Sequence, residues 1–196
     1  MKDASENESR ILRFLVKHFS EKHSINQLAK HANMTPMGMY KLLKRLEQEG
    51  VLIPEHIANA VFYRIDFASD FAKKRAALAL FEKPQNAYAA VQVKDLERLK
   101  PCSQAAVLFG SVLKKGEKAG DIDVLFIVRQ GNYPNFSKAL ESLQRLKPKR
   151  ISPVIQTHED FMQNLRKQDK VIIDALQTGI VLWGHDTIVE AIVILN

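Results

Sequence analysis

The chain has 196 residues, of which 46% are hydrophobic and 26% charged, a composition typical of a globular protein of one or two domains. It has no apolar run of membrane-spanning length and no apolar signal region at its start, so we expect a cytoplasmic protein without a membrane partner. The single cysteine, Cys102, excludes an internal disulfide and a cysteine-based zinc site, and the six histidines include no His-x-x-x-His pair. The formal net charge of +7 permits a polyanionic partner without requiring one.

The first half of the sequence carries helical patterns followed by a hairpin pattern. The predicted elements are helices over residues 8–19, 25–32 and 36–49, a hairpin made of 51–53 and 61–65, and a helix over 70–81. Ser24 is a suitable N-cap for the second helix. Thr35 and Pro36 are typical of the start of the third helix, and Gly50 is typical of its end.

The second half alternates between strand and helix patterns, which indicates an α/β arrangement on a small sheet. The predicted elements are a helix over 87–99, strands over 105–109, 122–128 and 151–156, a loop over 110–120, helices over 135–146, 159–165 and 171–177, and an apolar segment of open type over 179–184. Pro84 marks a domain boundary. We therefore predict a first domain over residues 1–69, a connecting helix over 70–84 and a second domain over 85–196.

Residues 8–67 resemble a winged helix-turn-helix, because three helices with a tight turn between the second and third precede a hairpin. The resemblance implies that the third helix enters the major groove of double-stranded DNA. It assigns DNA binding to Thr35, Pro36, Met37, Tyr40, Lys41, Lys44, Arg45 and Arg64. The lysines of this helix also fit a solvated face, and winged helices also serve in dimerisation or protein docking.

The most informative motif joins two strands of the second half. One strand ends in Gly110-Ser111, and after nine residues the next begins with Asp121-Ile122-Asp123. Glycine lets the backbone approach a triphosphate, and serine adds a hydroxyl group. The two aspartates lie on one face of the strand and repel each other unless a cation lies between them. Magnesium suits this position because it binds oxygen ligands and phosphates.

These residues resemble the nucleotidyltransferase superfamily typified by polymerase beta, in particular its minimal bacterial and archaeal members, over residues 87–186. The resemblance implies a two-domain α+β chain, with an N-terminal winged helix-turn-helix and a C-terminal polymerase-beta-like nucleotidyltransferase α/β fold on a small mixed sheet. It implies that a nucleoside triphosphate binds with Mg²⁺ or Mn²⁺ and that a nucleoside monophosphate is transferred to an acceptor hydroxyl. It assigns catalysis and metal binding to Asp121 and Asp123, and nucleotide binding to Gly110, Ser111, Lys114 and Lys115. Segment 179–184 is similar to the family's C-terminal helix end.

The chain departs from the family on the next strand, where active members carry a third carboxylate. Ser152, Val154 and Gln156 share a face there, and none is acidic, while Pro153 indicates an edge strand. Glu117 in the loop over 110–120, or Glu159 and Asp160 just after this strand, could substitute for it, although none has the expected position. Two hypotheses follow: a magnesium-dependent enzyme with a DNA-binding module, or a DNA-binding regulator or antitoxin-like protein with a degenerate nucleotidyltransferase domain. A homodimer and a small helical partner protein are both compatible with the resemblance.

Overall fold

The computed structural model describes residues 4–195, apart from the side chains of residues 4 and 5. These residues form an α+β protein with ten α-helices, a two-stranded sheet and a four-stranded sheet. No helix in this range is both long enough and apolar enough to cross a membrane. The chain divides into two compact units. The first comprises the residues up to Leu80 together with Ile192–Ile194, and the second comprises Phe81–Ala191 together with Leu195.

The first unit consists of four helices and one hairpin. Its elements are α1 (Ala4–Lys17), α2 (Ile25–Ala32), α3 (Pro36–Gln48), β1 (Leu52–Ile57), β2 (Ala60–Ile65) and α4 (Asp70–Ala79). Both predicted N-caps are confirmed. The Ser24 hydroxyl accepts a hydrogen bond from the backbone N–H of Gln27, and the Thr35 hydroxyl accepts one from the backbone N–H of Gly38 at 3.1 Å.

The stripe of α3 that its helical spacing predicts forms part of the core of the first unit. Met39, Leu42, Leu43 and Leu46 are all buried. The strands after it pair antiparallel from Leu52 opposite Ile65 to Ile57 opposite Ala60, as the hairpin pattern predicts. The face of α3 opposite the buried stripe is therefore the one that meets solvent.

The second unit is built around the four-stranded sheet. Its elements are α5 (Ala87–Leu96), β3 (Ala105–Phe109), α6 (Ser111–Lys115), β4 (Ile122–Ile127), α7 (Tyr133–Arg145), β5 (Ile151–Gln156), α8 (His158–Arg166), α9 (Lys170–Thr178), β6 (Ile180–Trp183) and α10 (His185–Val193). The strand order is β5-β4-β3-β6, with β4 and β5 parallel and the other pairs antiparallel. The sheet is therefore mixed and β5 is an edge strand, as predicted.

Two local predictions for the second unit are wrong. The expected loop over 110–120 contains α6 and a 3₁₀ turn over Gly116–Lys118, because Val112 is buried and anchors the segment. Segment 179–184 is similar to a helix end by sequence, yet it contains strand β6, in which Val181 pairs with Val107. A Cβ on Gly179 would lie 2.2 Å from the backbone oxygen of Ala175. Glycine avoids this overlap, which allows the chain to end α9 and enter the sheet directly.

The helix predicted over 87–99 is also shorter than expected. Regular α-helix ends at Leu96, and Glu97–Cys102 form a 3₁₀ helix that contains Pro101. Proline donates no backbone hydrogen bond and disfavours the α conformation in the residue before it, which explains the early change.

Gly184 tests whether β6 is packed as described. Its φ is +75°, and an added Cβ would lie 2.3 Å from the Gln104 backbone oxygen and 2.5 Å from the Ala105 Cβ. We expect Gly184→Ala to destabilise the protein by at least about 2 kcal/mol, because backbone strain and overpacking add. Thermal unfolding followed by circular dichroism measures the loss. The control is Gly120→Ala, whose Cβ meets nothing within 4 Å. Equal melting temperatures for the two variants would contradict the described packing.

Candidate functional site

The end of β3 and the start of β4 bring Gly110 against Asp123. Phe109, the last residue of β3, pairs with Asp123, and Gly110 follows with a φ of +75°. A Cβ at position 110 would lie 2.2 Å from Oδ2 of Asp123, so only glycine leaves room for the carboxylate. The two parts of the Gly-Ser…Asp-x-Asp motif, which nine residues separate in sequence, therefore meet at one point.

Asp121 and Asp123 form a closely spaced acidic pair at the start of β4. Both are half-buried. Burial raises the pKa of the Asp123 carboxyl above its usual range, and the charge of Asp121 raises it further. The pair thus carries the electrostatic repulsion that its spacing predicts, and a cation between the carboxylates would relieve it.

Ser152 on the neighbouring strand completes this cluster. It lies directly opposite Asp123 in the parallel pairing of β4 and β5, and the interaction of its hydroxyl with the Asp123 carboxylate opposes the rise in that pKa. Sequence analysis names Ser152 only as a non-acidic residue of the third strand. Its place beside Asp123 depends on the register between β4 and β5, which no local pattern encodes.

The three acids that could substitute for the third carboxylate show no contact with the cluster among the described residues. Thr157 Oγ1 donates a hydrogen bond to Asp160 Oδ2 at 2.7 Å, so Asp160 serves the capping box of α8. Glu159 is exposed in the first turn of the same helix, and Glu117 is exposed in the 3₁₀ turn after α6. Helix α8 follows the far end of β5, and Gln156 at that end is four residues from Ser152, about 13 Å at the usual rise of a strand.

The predicted phosphate-binding residues lie on α6. Ser111 begins this helix and is half-buried, whereas Lys114 and Lys115 are exposed at its end. Among the residues that the structure describes, no hydrogen bond or ion pair joins either lysine to Asp121 or Asp123. Both ammonium groups are therefore available to an anion in solvent.

Two residues that sequence analysis does not assign to the site hold the segment between β3 and β4. The Asn86 amide donates to the backbone oxygens of Val112 and Leu113 at 3.2 and 2.9 Å, while its own oxygen caps α5. The Lys149 ammonium donates to the backbone oxygens of Glu117 and Ala119. Asn86 has the residue type of an N-cap, but its second role requires a contact over 26 positions in the chain.

In the first unit, the start of α3 carries the predicted DNA-binding residues. Thr35 caps the helix, and Pro36 is its first residue. Met37, Tyr40 and Lys41 are exposed, with 63% of Met37 and 44% of Tyr40 accessible to solvent. Within the described part of the chain Lys41 has no ion pair. These residues give α3 a face that mixes apolar, aromatic and cationic groups.

The remaining cations assigned to DNA binding differ in their surroundings. Lys44 Nζ lies 2.9 Å from Glu47 Oε2. Arg45 pairs with Glu8 at 2.6 Å, in a network that also includes Arg75 and Glu49. The charges of Lys44 and Arg45 are therefore partly compensated.

Arg64 on β2 is exposed and lies opposite Ile53 in the hairpin. It has no ion pair within the residues that the structure describes, so its charge is available to an anion, like that of Lys41 and unlike that of Arg45.

Comparison of the whole chain with protein-family models, with curated proteins and with solved structures finds no match.

The raised pKa of Asp123 predicts a dependence of stability on pH. Because the folded-state pKa lies above the unfolded value of 3.8, ionised Asp123 destabilises the fold, and this penalty grows as the pH rises from 3.8 through the folded-state pKa. We expect Asp123→Asn, whose amide oxygen can still accept from Ser152, to raise the melting temperature at pH 7. The gain should shrink as the pH falls towards 3.8. Melting curves over this pH range, with the exposed Asp174→Asn as control, measure the effect, and a melting temperature lowered at pH 7 would contradict it.

Proposed function

We propose that the second unit binds a nucleoside triphosphate with Mg²⁺, or Mn²⁺, and that the chain is a nucleotidyltransferase-family protein with a DNA-binding module. The contact of Gly110 with Asp123, beside Asp121, carries this proposal. This contact supports a site made of the backbone at Gly110, the hydroxyl of Ser111 and the carboxylates of Asp121 and Asp123. Phosphates and a hard cation are the ligands that such a set prefers.

The residues present fit a magnesium ion that arrives with its nucleotide. Mg²⁺ usually takes one or two carboxylates from a protein and completes its shell with water and substrate phosphates. Asp121 and Asp123 would hold it, and its charge would offset their repulsion. When bound, the ion supplies Lewis-acid polarisation of a phosphoryl group.

The chain's own side chains would orient the triphosphate. Ser111 offers a hydroxyl next to Gly110, and the exposed ammonium groups of Lys114 and Lys115 offer charge for the outer phosphates. Asn86 and Lys149 keep the intervening segment in place through its backbone oxygens. A fixed loop lowers the entropy cost of binding.

Ser152 supports a slow transfer reaction. The residue opposite Asp123 carries a neutral hydroxyl, on the strand where the resemblance calls for a third carboxylate. Activation of an acceptor hydroxyl requires a group that takes its proton, and a neutral serine hydroxyl is a poor base. The same observation favours a second candidate function, a DNA-binding regulator whose second unit binds nucleotide without turnover.

We propose that the first unit is a winged helix-turn-helix that binds double-stranded DNA through α3 and the hairpin. The exposed Met37, Tyr40 and Lys41 support this role, because the N-terminal half of such a helix approaches base edges. Arg64 on the hairpin adds a cation for the phosphate backbone. Lys44 and Arg45 contribute less, since Glu47 and Glu8 already pair with them.

DNA binding is tested by the salt dependence of affinity. We expect Lys41→Ala and Arg64→Ala each to weaken binding to duplex DNA and to lower the slope of log affinity against log salt by about one, because each removes one phosphate contact. Fluorescence anisotropy over a salt series measures both. Lys74→Ala, an exposed lysine of α4 in the same unit, is the matched control and should leave the slope unchanged. A wild-type chain that binds no duplex at low salt would refute the proposed module.

Nucleotide binding is tested at the acidic pair. We expect Asp121→Asn combined with Asp123→Asn to abolish magnesium-dependent binding of a nucleoside triphosphate, because the ion loses both carboxylate ligands. Isothermal titration calorimetry with four triphosphates measures the affinity, and Asp174→Asn on the surface of α9 is the control for loss of charge. Unchanged affinity in the double variant would rule out the proposed site.

The third strand separates the two candidate functions. We expect wild-type protein to transfer nucleotide slowly or not at all, and Ser152→Asp to increase the transfer by at least about tenfold, because it supplies the missing acid. Incorporation of labelled monophosphate into protein or RNA measures the rate. Ser152→Asn, which is similar in size and uncharged, is the control. Rapid wild-type transfer that Asp121→Asn abolishes would contradict the slow site, and nucleotide binding without transfer in every variant would favour the regulator.

A further inference from the structure

A cluster of two histidines and one glutamate lies at the turn between α1 and α2. His18 Nδ1 is 3.2 Å from Glu21 Oε1, and His23 Nε2 is 3.5 Å from Glu21 Oε2. One nitrogen or oxygen atom from each residue lies within 4.8 Å of the other two. Three side chains of metal-binding type thus converge from a stretch of six consecutive residues.

His23 Nε2 is the unexplained atom of this cluster. It is buried, and within the described residues it has no hydrogen-bond partner. Only 12% of the His23 side chain is exposed. Burial lowers the pKa of His23 below its usual range, although the carboxylate of Glu21 opposes that shift. A buried polar atom without a partner costs free energy, and such atoms are uncommon in folded proteins.

Aromatic packing fixes the two imidazole rings. The ring of Phe14, on α1, has its centroid 4.2 Å from that of His18 and 4.7 Å from that of His23. A third histidine, His31 on α2, packs against the same phenylalanine at 4.0 Å, outside the three-residue cluster. Rings held in this way lose little further freedom when they bind a ligand.

We propose that His18, Glu21 and His23 form a binding site for a first-row divalent transition metal ion of the zinc class. Two imidazoles and one carboxylate are a ligand set that zinc, cobalt and nickel accept, with a fourth position open to water. Bonds of the usual length place neighbouring ligand atoms about 3.3 Å apart around a tetrahedral ion. His18 Nδ1 lies 3.2 Å from one oxygen of the Glu21 carboxylate and His23 Nε2 lies 3.5 Å from the other, so each imidazole is close to this spacing from a different oxygen atom.

The ion would give His23 Nε2 the partner that it lacks and would join the end of α1 to the start of α2. His18 follows α1 directly, and His23 precedes Ser24, the N-cap of α2. Ser24 also forms a bridge to Phe62 of the hairpin. Metal binding should therefore stabilise the part of the first unit where both helices meet the hairpin. This site differs in chemistry from the acidic pair Asp121 and Asp123, because imidazole nitrogen is a poor ligand for magnesium.

The test is a titration of the full, chelator-treated chain with Co²⁺ alone, followed by visible absorption. We expect one equivalent to bind with the absorption bands of a four-coordinate nitrogen and oxygen site. His18→Ala and His23→Ala should each weaken binding by more than about 100-fold, since even changes behind the ligands cost about 10- to 100-fold. His56→Ala, which removes an exposed histidine of β1 in the same unit, should leave the affinity unchanged.

A second measurement guards against variants that fold poorly. Zn²⁺ should raise the melting temperature of the wild-type chain and of His56→Ala, because a ligand that binds only the folded state stabilises it. It should not raise that of His18→Ala, whose side chain is 22% exposed, against 12% for that of His23. A wild-type chain that binds no Co²⁺, or equal affinities in wild type, His18→Ala and His23→Ala, would overturn the proposal.

Discussion

The candidate nucleotide site depends on the absence of a side chain at Gly110. The chain leaves β3 there with a positive φ and passes so close to Asp123 that any Cβ would overlap the carboxylate. This approach sets the position of α6, and therefore of Ser111 and the exposed lysines after it. One backbone conformation thus brings the two halves of the motif together, while the pairing of β3 with β4 holds them there.

The sheet holds two carboxylates in an electrostatically unfavourable arrangement at the start of β4. Asp123 is half-buried beside Asp121, and both burial and that neighbouring charge oppose its ionisation. The hydroxyl of Ser152 offsets part of the cost without adding a third negative charge. This makes the cluster more tolerable in the absence of a cation than three carboxylates would be, and it reduces the number of groups that can act as a base.

Some polar residues of the first unit form ion pairs that join its helices, whereas others are exposed to solvent. Arg45, Arg75 and their glutamate partners form a network that joins α1, α3 and α4, whereas Lys41 is exposed at the start of α3. The histidines near α1 form a second polar group around Phe14. A small unit in this way carries two chemically distinct groups of polar residues, one made of ion pairs and one rich in imidazole.

The sequence by itself determined most elements, because caps, glycines and apolar periodicity act over a few residues: Ser24, Thr35 and the buried stripe of α3 are where their local patterns place them. It also identified the Gly-Ser…Asp-x-Asp residues. Only the tertiary structure decided that Ser152 lies beside Asp123, since strand register depends on packing across the sheet. The tertiary structure also decided that β6 is a strand, because its apolar residues suit a helix or a strand and only pairing with β3 selects between them. His18 and His23 lack the helical spacing of a metal pair, and they meet because the chain turns between them.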